Sequence, residues 1–208
     1  MADSSVTIDR LRDPDGGLDR RALRQILPYG EAFLFVDRVT RLETSAVDAI
    51  YRIPESAPFV DAHFVGLPLM PGALIGEGLA QAGTVMVRYN LEEHASKDLL
   101  AFQIENARFL APAVPGDTLE YHVKLTKMRH NAARMEGEAF VGDRRVCKAQ
   151  LVLAIVERQL LKAELDKPRD ELVARTRAMR PASEVVPRAI DELCRHRTER
   201  AALKTRTV

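Results

Sequence analysis

The sequence predicts an α+β domain in which an antiparallel sheet curls around one long, buried helix. Residues 71–89 are apolar around most of the helical circumference, which is typical of a helix that other structure wraps on nearly all sides. Runs that alternate in polarity or are rich in strand formers follow it, with Pro and Gly turns between them. These runs are residues 100–104, 107–110, 118–128, 134–141 and 145–156. Consecutive strands with short connections pair as antiparallel neighbours, so we expect one sheet packed on one helix.

The residues before the long helix predict a short helix and two strands. Asp19 suits the N-cap of the short helix, because its side chain can accept a hydrogen bond from the first turn. The apolar face of this helix has the spacing i, i+3 and i+4: Leu23, Ile26 and Leu27. Residues 33–39 form a strand-like run. Residues 47–53 alternate apolar with polar side chains and predict a half-buried strand.

The long helix carries a narrow polar stripe on its otherwise apolar surface. Pro71 suits the first helical position, where the missing N–H would have no partner anyway. The stripe has spacings of four, three and four residues: Glu77, Gln81, Thr84 and Arg88. A carboxylate on an apolar helix needs a partner, because burying it alone costs free energy or raises its pKa. The residues alone leave a functional role for Glu77 and an ion pair with Arg88 equally open.

Charge and cysteine content exclude several classes of protein. The formal net charge is +1, which gives no reason to expect binding to nucleic acid or to an anionic membrane. The two cysteines, Cys147 and Cys194, lie far apart and have no metal-ligand spacing. No secretory signal and no apolar stretch of membrane-spanning length is visible. These observations favour a cytoplasmic protein without a membrane span.

The composition divides the chain into three parts. Residues 1–19 are mostly polar and predict a flexible N-terminal segment. Residues 20–157 hold the predicted domain. Residues 158–208 predict a charged helical extension. From residue 157 onward the chain has 13 Lys and Arg residues and 9 Asp and Glu residues, a net charge of +4. Within this extension, amphipathic helices are expected near residues 168–179 and 187–203.

The residues around the start of the long helix form a candidate active site. His63 lies in a Gly- and Pro-rich loop just before the helix, and Glu77 lies near its second turn. Histidine is well suited to moving protons near neutral pH. The unpaired N–H groups near Gly72 are donors for a developing oxyanion, and glycine lets a substrate carbonyl approach the backbone. A base, an acid and an oxyanion site suit proton abstraction next to a carbonyl group.

Each of these residues also has an ordinary structural explanation. A loop histidine such as His63 is more often structural than catalytic. The Pro71-Gly72 pair is usually only a helix start signal. On the residues alone, an active site and a purely structural loop therefore both stay open.

One ordered string of residues resembles a known family. His63-Phe64-x-Gly66-x-Pro68-x-Met70-Pro71-Gly72, followed by Glu77 and Gln81, closely resembles the active-site signature of bacterial 3-hydroxyacyl-[acyl-carrier-protein] dehydratases. Two flanking strings agree with that family: residues 27–39, around Phe-Leu-Phe-Val-Asp-Arg-Val, and residues 106–117, around Asn-Ala-Arg-Phe and Pro-Gly-Asp. The resemblance covers roughly residues 20–157.

The resemblance implies a hot-dog fold and a homodimer, or a higher homo-oligomer, with its active sites at the subunit interface. His63 of one subunit would then face Glu77 of the partner subunit. The Gly72 N–H would bind the thioester carbonyl, and Gln81 would orient the acid. The residues that would contact the substrate beside them are Phe64, Met70 and Pro71. Neither a metal nor an organic cofactor is implied, and no usual metal-ligand spacing occurs.

The resemblance implies dehydration of a 3-hydroxyacyl thioester to the trans-2-enoyl thioester, with acyl carrier protein as the expected carrier. A hot-dog acyl thioesterase is one alternative, and it would use an attacking water in place of His63. A non-catalytic subunit that binds acyl chains or assembles with a partner is the other. The sequence leaves the acyl-chain length and the carrier open. It also leaves open whether the pathway makes ordinary fatty acids, a specialised lipid or a polyketide.

Overall fold

Six antiparallel strands form one sheet in the computed structural model, which describes residues 7–64 and 66–165. Their bounds are β1 Arg38–Leu42, β2 Ala46–Arg52, β3 Lys97–Phe109, β4 Thr118–Arg129, β5 Ala132–Val141 and β6 Arg144–Glu157. Their order across the sheet is β1-β2-β4-β5-β6-β3. The chain therefore crosses from β2 to the far edge of the sheet, lays down β3 beside β6, and returns to place β4 beside β2.

Four α-helices accompany the sheet in the described part of the chain. They are α1 Arg20–Ile26, α2 Pro58–Asp61, α3 Gly72–Tyr89 and α4 Arg158–Leu165. Helix α3 packs against five of the six strands, β2 to β6, and its side chains join theirs in one apolar core. The predicted sheet around a central helix is confirmed, since thirteen of the eighteen residues of α3 are buried.

Helix α1 forms where the sequence predicts it. The Asp19 side chain accepts a hydrogen bond from the Ala22 N–H at 2.8 Å, which satisfies one of the unpaired donors of the first turn. Part of the N-terminal segment packs on the domain: Ile8 begins a short 3-10 helix and is buried, and Leu18 pairs with Val39 of β1. The division at residue 19 stays a prediction.

The strand predicted over residues 33–39 is wrong in its first half. Glu31–Phe33 is a 3-10 helix, and β1 begins only at Arg38. The reason is a long-range hydrogen bond, because the Phe35 N–H donates to the Gln81 side chain rather than to a neighbouring strand. Residues 34–36 are nevertheless buried, and their apolar side chains account for the strand-like pattern.

Two further boundaries differ from the prediction. Pro71 is the N-cap of α3 rather than its first residue, since its ψ of 127° is extended while its carbonyl already accepts from Leu74 and Ile75. The two runs predicted at residues 100–104 and 107–110 form the single strand β3. The strand has an irregularity near Asn106, whose φ is 51°. It interrupts the alternation of polar and apolar residues, but the strand continues through it in the sheet.

The C-terminal extension begins as a helix directly after β6. Arg158 of α4 donates to the Asp98 carboxylate at 3.0 Å, and buried Arg88 of α3 lies 3.6 Å from the same carboxylate. These contacts tie the start of the extension to α3 and β3. The helices predicted at residues 168–179 and 187–203 lie outside the described residues. No helix within residues 7–64 and 66–165 is long and apolar enough to span a membrane.

Candidate active site

Glu77 occupies the second turn of α3 and is half-buried among apolar neighbours. Burial raises the pKa of the Glu77 carboxyl above its ordinary value, and a hydrogen bond from Gln81 acts in the opposite direction. The ion pair with Arg88 that the sequence left open is wrong, because Arg88 bonds instead to the carbonyls of His94 and Lys97 and faces Asp98. Among residues 7–64 and 66–165, the contact that holds the acid is therefore an amide hydrogen bond and not an ion pair.

The Gln81 side-chain amide is buried and completely hydrogen-bonded. Its Nε2 donates to the Phe33 carbonyl at 2.8 Å and to Glu77 Oε1 at 3.0 Å, and its Oε1 accepts from the Phe35 N–H at 2.9 Å. Because a backbone N–H can only donate, the Phe35 bond identifies which end of the amide is the oxygen. The nitrogen therefore faces Glu77, as an orienting role for Gln81 requires.

Gly72 opens α3 beneath an aromatic ring. The first intrahelical donors are the N–H groups of Leu74 and Ile75, which bond to Pro71, so the N–H of Gly72 precedes the helical ladder. A Cβ on Gly72 would lie 2.7 Å from the Phe109 ring. A side chain at position 72 would therefore collide with Phe109, which gives a steric reason for the glycine. The sequence alone suggested a different reason, the approach of a substrate carbonyl to the backbone. Phe109 itself is 55% exposed.

His63 lies in the loop between α2 and α3. Its Nδ1 is 3.1 Å from the Leu69 carbonyl oxygen. Because a carbonyl only accepts, this contact requires a hydrogen on Nδ1, so the tautomer of a neutral ring would have its lone pair on Nε2. Phe64, with φ of 61° and its ring centroid 4.4 Å from that of His63, is 61% exposed. Gly66 also has a positive φ, 84°, which glycine adopts without strain.

The described chain brings together only part of the expected site. Glu77 and Gln81 are hydrogen-bonded, and Gly72 lies on the same helix. Among residues 7–64 and 66–165, no hydrogen bond or ion pair joins His63 to Glu77. Met70, expected to contact substrate, is 4% exposed and donates its N–H to the Ala113 carbonyl.

Several aromatic residues near the acid were not predicted as part of the site. Tyr29 and Phe33 lie on the segment that holds Gln81, and the Glu77 charge raises the Tyr29 pKa, although burial contributes more. The buried Tyr121 hydroxyl packs against Gly78 and has no hydrogen-bond partner among the described residues. The sequence held one usable signal, the aromatic spacing of residues 29, 33 and 35.

A paired histidine and acid lie on the outer face of the sheet, His122 of β4 and Asp48 of β2. His122 Nδ1 is 2.8 Å from Asp48, and the His122 side chain is 45% exposed. His122 lies on β4 with its side chain on the solvent side of the sheet. In the part of the chain that the structure describes, no group of three or more His, Cys, Asp or Glu side chains is placed to hold a metal ion.

Two solved structures share the architecture described above. A chain of the dehydratase heterocomplex ApeI:P from Xenorhabdus doucetiae aligns with a TM-score of 0.59 and 16% identity, over 70% of this chain and 97% of that chain. A hot-dog-like protein from Thermanaerovibrio acidaminovorans aligns with a TM-score of 0.52 and 19% identity, over 60% and 93%. At these identities the likeness concerns the fold, and the fold is the hot-dog fold.

Sequence comparison gives the family. Residues 27–150 match the FabA-like domain family. A 3-hydroxyacyl-[acyl-carrier-protein] dehydratase FabZ from Solibacter usitatus is 37% identical over 142 residues, 68% of this chain and 88% of that protein. Another FabZ, from a Nitratiruptor species, is 38% identical over 147 residues, 68% of this chain and 99% of that protein. The chain therefore belongs to the FabA-like family, among the relatives of the FabZ 3-hydroxyacyl-[acyl-carrier-protein] dehydratases.

Proposed function

We propose that this protein is a hydro-lyase of fatty-acid biosynthesis that removes water from a 3-hydroxyacyl thioester on acyl carrier protein. The product is the trans-2-enoyl thioester. Membership of the FabA-like family and the names of its FabZ relatives support the reaction and the carrier. The observation in the structure that carries the proposal is Glu77, a carboxyl on the central helix whose neutral form burial favours.

His63 is the proposed base. Its free Nε2 takes a proton from C2 of the substrate, and the Leu69 carbonyl stabilises the charged ring through Nδ1–H. The electron pair left at C2 is delocalised onto the thioester oxygen, which accepts a hydrogen bond from the Gly72 N–H. The residues Phe64, Met70 and Pro71 border this position in the sequence, and contact with substrate is part of the proposal for them.

Glu77 is the proposed acid. The C2 electron pair forms the C2–C3 double bond as the C3–O bond breaks, and the departing oxygen takes the Glu77 proton and leaves as water. Gln81 holds Glu77 Oε1, so the second oxygen is the one available to the substrate. A raised pKa suits this role because an acid must still carry its proton when the hydroxyl departs.

We infer that two chains form a homodimer and that each site takes His63 from one chain and Glu77 from the other. Strand β3 ends the described sheet, and a bare edge invites pairing with another strand. Large apolar side chains on β3 support this, since Leu100 is 43% and Ile104 is 50% exposed.

A cytoplasmic location is proposed from the cysteine content and from the free, buried thiol of Cys147.

Replacing either proposed residue tests the mechanism. His63→Ala and Glu77→Ala are each expected to lower the rate of enoyl formation by about 10²–10⁴-fold, while size and circular dichroism stay unchanged. His122→Ala is the matched control, because this histidine is also paired with an acid but lies on the outer face of the sheet. Near-normal turnover in both site variants would refute the assignment. Release of free thiol from saturated acyl thioesters, without enoyl product, would favour a thioesterase instead.

A further inference from the structure

We propose that Phe33 is a positioning residue for this reaction: its ring fixes the backbone that orients Gln81, and Gln81 orients Glu77. The inference rests on the proposed function and concerns the same acid. It assigns no contact with the reacting atoms to Phe33.

The hydrogen bonds leave the Gln81 amide only one orientation. Both of its donor hydrogens are used, one by the Phe33 carbonyl at 2.8 Å and one by Glu77 at 3.0 Å. Its oxygen accepts from the Phe35 N–H at 2.9 Å. A displacement of the Phe33 carbonyl therefore moves the donor that fixes Glu77 Oε1, because a planar amide cannot satisfy three partners in another arrangement.

Strand pairing does not account for the position of this backbone. Residues 34–36 lie between the 3-10 helix Glu31–Phe33 and β1, and the first bond to the neighbouring strand is the one from the Asp37 N–H to the Ile50 carbonyl. The Phe33 ring instead contacts two other rings edge-to-face, Tyr29 at 5.7 Å and Phe35 at 5.2 Å between centroids. Phe35 is anchored in turn against Phe59 at 5.5 Å. The Arg20 guanidinium donates to the Glu31 and Leu34 carbonyls at 3.4 Å, and the aromatic ladder of residues 29, 33, 35 and 59 supplies the ring contacts at Phe33 itself.

The exposure of Phe33 argues against a purely structural role in the core. Phe33 is 46% exposed, whereas Phe35, two positions along the chain, is 2% exposed. Removing the Phe33 ring therefore deletes little of the buried core but removes both of the edge-to-face contacts described above. Tyr29 lies close enough to the acid for the Glu77 charge to raise its pKa, so the ladder borders the site.

The test compares variants at Phe33 with a matched aromatic deletion elsewhere. Phe33→Ala is expected to lower kcat about tenfold with KM changed less than twofold, and Phe33→Tyr, which keeps the ring, is expected to restore kcat. Phe140→Ala is the control, because Phe140 also makes an edge-to-face contact, with His122 at 5.6 Å, but on the outer face. Phe33→Leu repeats the test if Phe33→Ala unfolds.

A second readout follows the acid directly. Carbon NMR with labelled glutamate reports the Glu77 pKa, and the resonance is assigned by its loss in Glu77→Gln. Because the Gln81 hydrogen bond lowers this pKa, Phe33→Ala is expected to raise it. An unchanged kcat and pKa in Phe33→Ala and Phe33→Leu, or a change confined to KM, would overturn the proposal. A wild-type protein that forms no enoyl product would instead refute the proposed function, and the NMR readout would still test Phe33.

Discussion

At the residue scale, Glu77 combines a half-buried position with an ionisable group. Burial disfavours the carboxylate, and the hydrogen bond from Gln81 offsets that effect only in part, so the pKa is raised in the folded protein. Arg88, on the same polar stripe, does not compensate the charge, because it is engaged with Asp98 and with backbone carbonyls. Such an arrangement costs stability, as expected for a residue that we propose to be an acid in catalysis.

Glu77→Gln should therefore stabilise the protein in a pH-dependent way. A folded pKa above the unfolded one gives stability that is fully present below the unfolded pKa and is lost as pH rises through the folded pKa. Glutamine cannot ionise, so the variant does not lose this stability as the pH rises. Its melting temperature should therefore exceed that of the wild type at about pH 8, and the difference should disappear near about pH 4. Thermal unfolding at both pH values measures this. A difference that does not depend on pH would contradict it.

The sequence could identify Glu77 and Gln81 but not what surrounds them. Their spacing of four places both on one helical face, so the orienting contact follows from helix geometry. The partners that fix Gln81 are 46 and 48 residues away, at Phe35 and Phe33, and nothing in local periodicity indicates them. The same long-range contacts replace the first half of the strand that the run at residues 33–39 predicted.

At the scale of elements, α3 carries glycines on both sides of the acid, and their surroundings differ. A Cβ on Gly78 would collide with the ring and hydroxyl of buried Tyr121. A Cβ on Gly76 would meet no atom within 4 Å. Helix propensity penalises both glycines equally, so the structure explains the glycine at position 78 and leaves the one at position 76 without a steric reason within the described chain.

These two positions form a matched pair of substitutions. Gly76→Ala should raise the free energy of unfolding by about 0.5–1 kcal/mol, because alanine favours the helix and fits. Gly78→Ala should lower it by about 1–3 kcal/mol through overpacking against Tyr121. Urea unfolding measures both, and Tyr121→Leu should rescue Gly78→Ala. Equal effects of the two alanines would show that the Tyr121 contact is unimportant.

Most element boundaries could be predicted because their causes are local. The alternation in β2 and the long apolar pattern of α3 are direct consequences of one-sided and all-round burial. Asp19 caps α1 through a bond to a residue three positions away. That residues 97–109 form one continuous strand, β3, could not be predicted, because Asn106 interrupts the alternating pattern at the position where the strand bulges.

At the scale of the whole molecule, the edge strand β3 determines how the protein is proposed to assemble. The order β1-β2-β4-β5-β6-β3 could not be derived from periodicity, because it depends on the crossover after α3 that brings β3 beside β6. The family resemblance, rather than the pattern of residues, predicted the hot-dog fold. The exposed apolar side chains of β3 then indicate which surface two chains would share.

Ile104→Glu should separate the proposed dimer. A carboxylate in the middle of an apolar interface is desolvated without a partner, which costs several kcal/mol. The variant should sediment as a monomer and lose enoyl formation, since each site would lack one of its two residues. Leu160→Glu is the control, because Leu160 is 67% exposed but belongs to α4 and not to the edge strand β3. A monomeric Ile104→Glu variant with full activity would contradict a shared site.

Complementation between two inactive variants tests the central claim most directly. His63→Ala and Glu77→Ala chains are unfolded together, refolded and assayed, so that half of the dimers are mixed. If each site takes His63 from one chain and Glu77 from its partner, each mixed dimer has one intact site, and about a quarter of the wild-type activity should return. If the mixture stays as inactive as either variant alone, although mixed dimers have formed, the two residues do not meet across the interface.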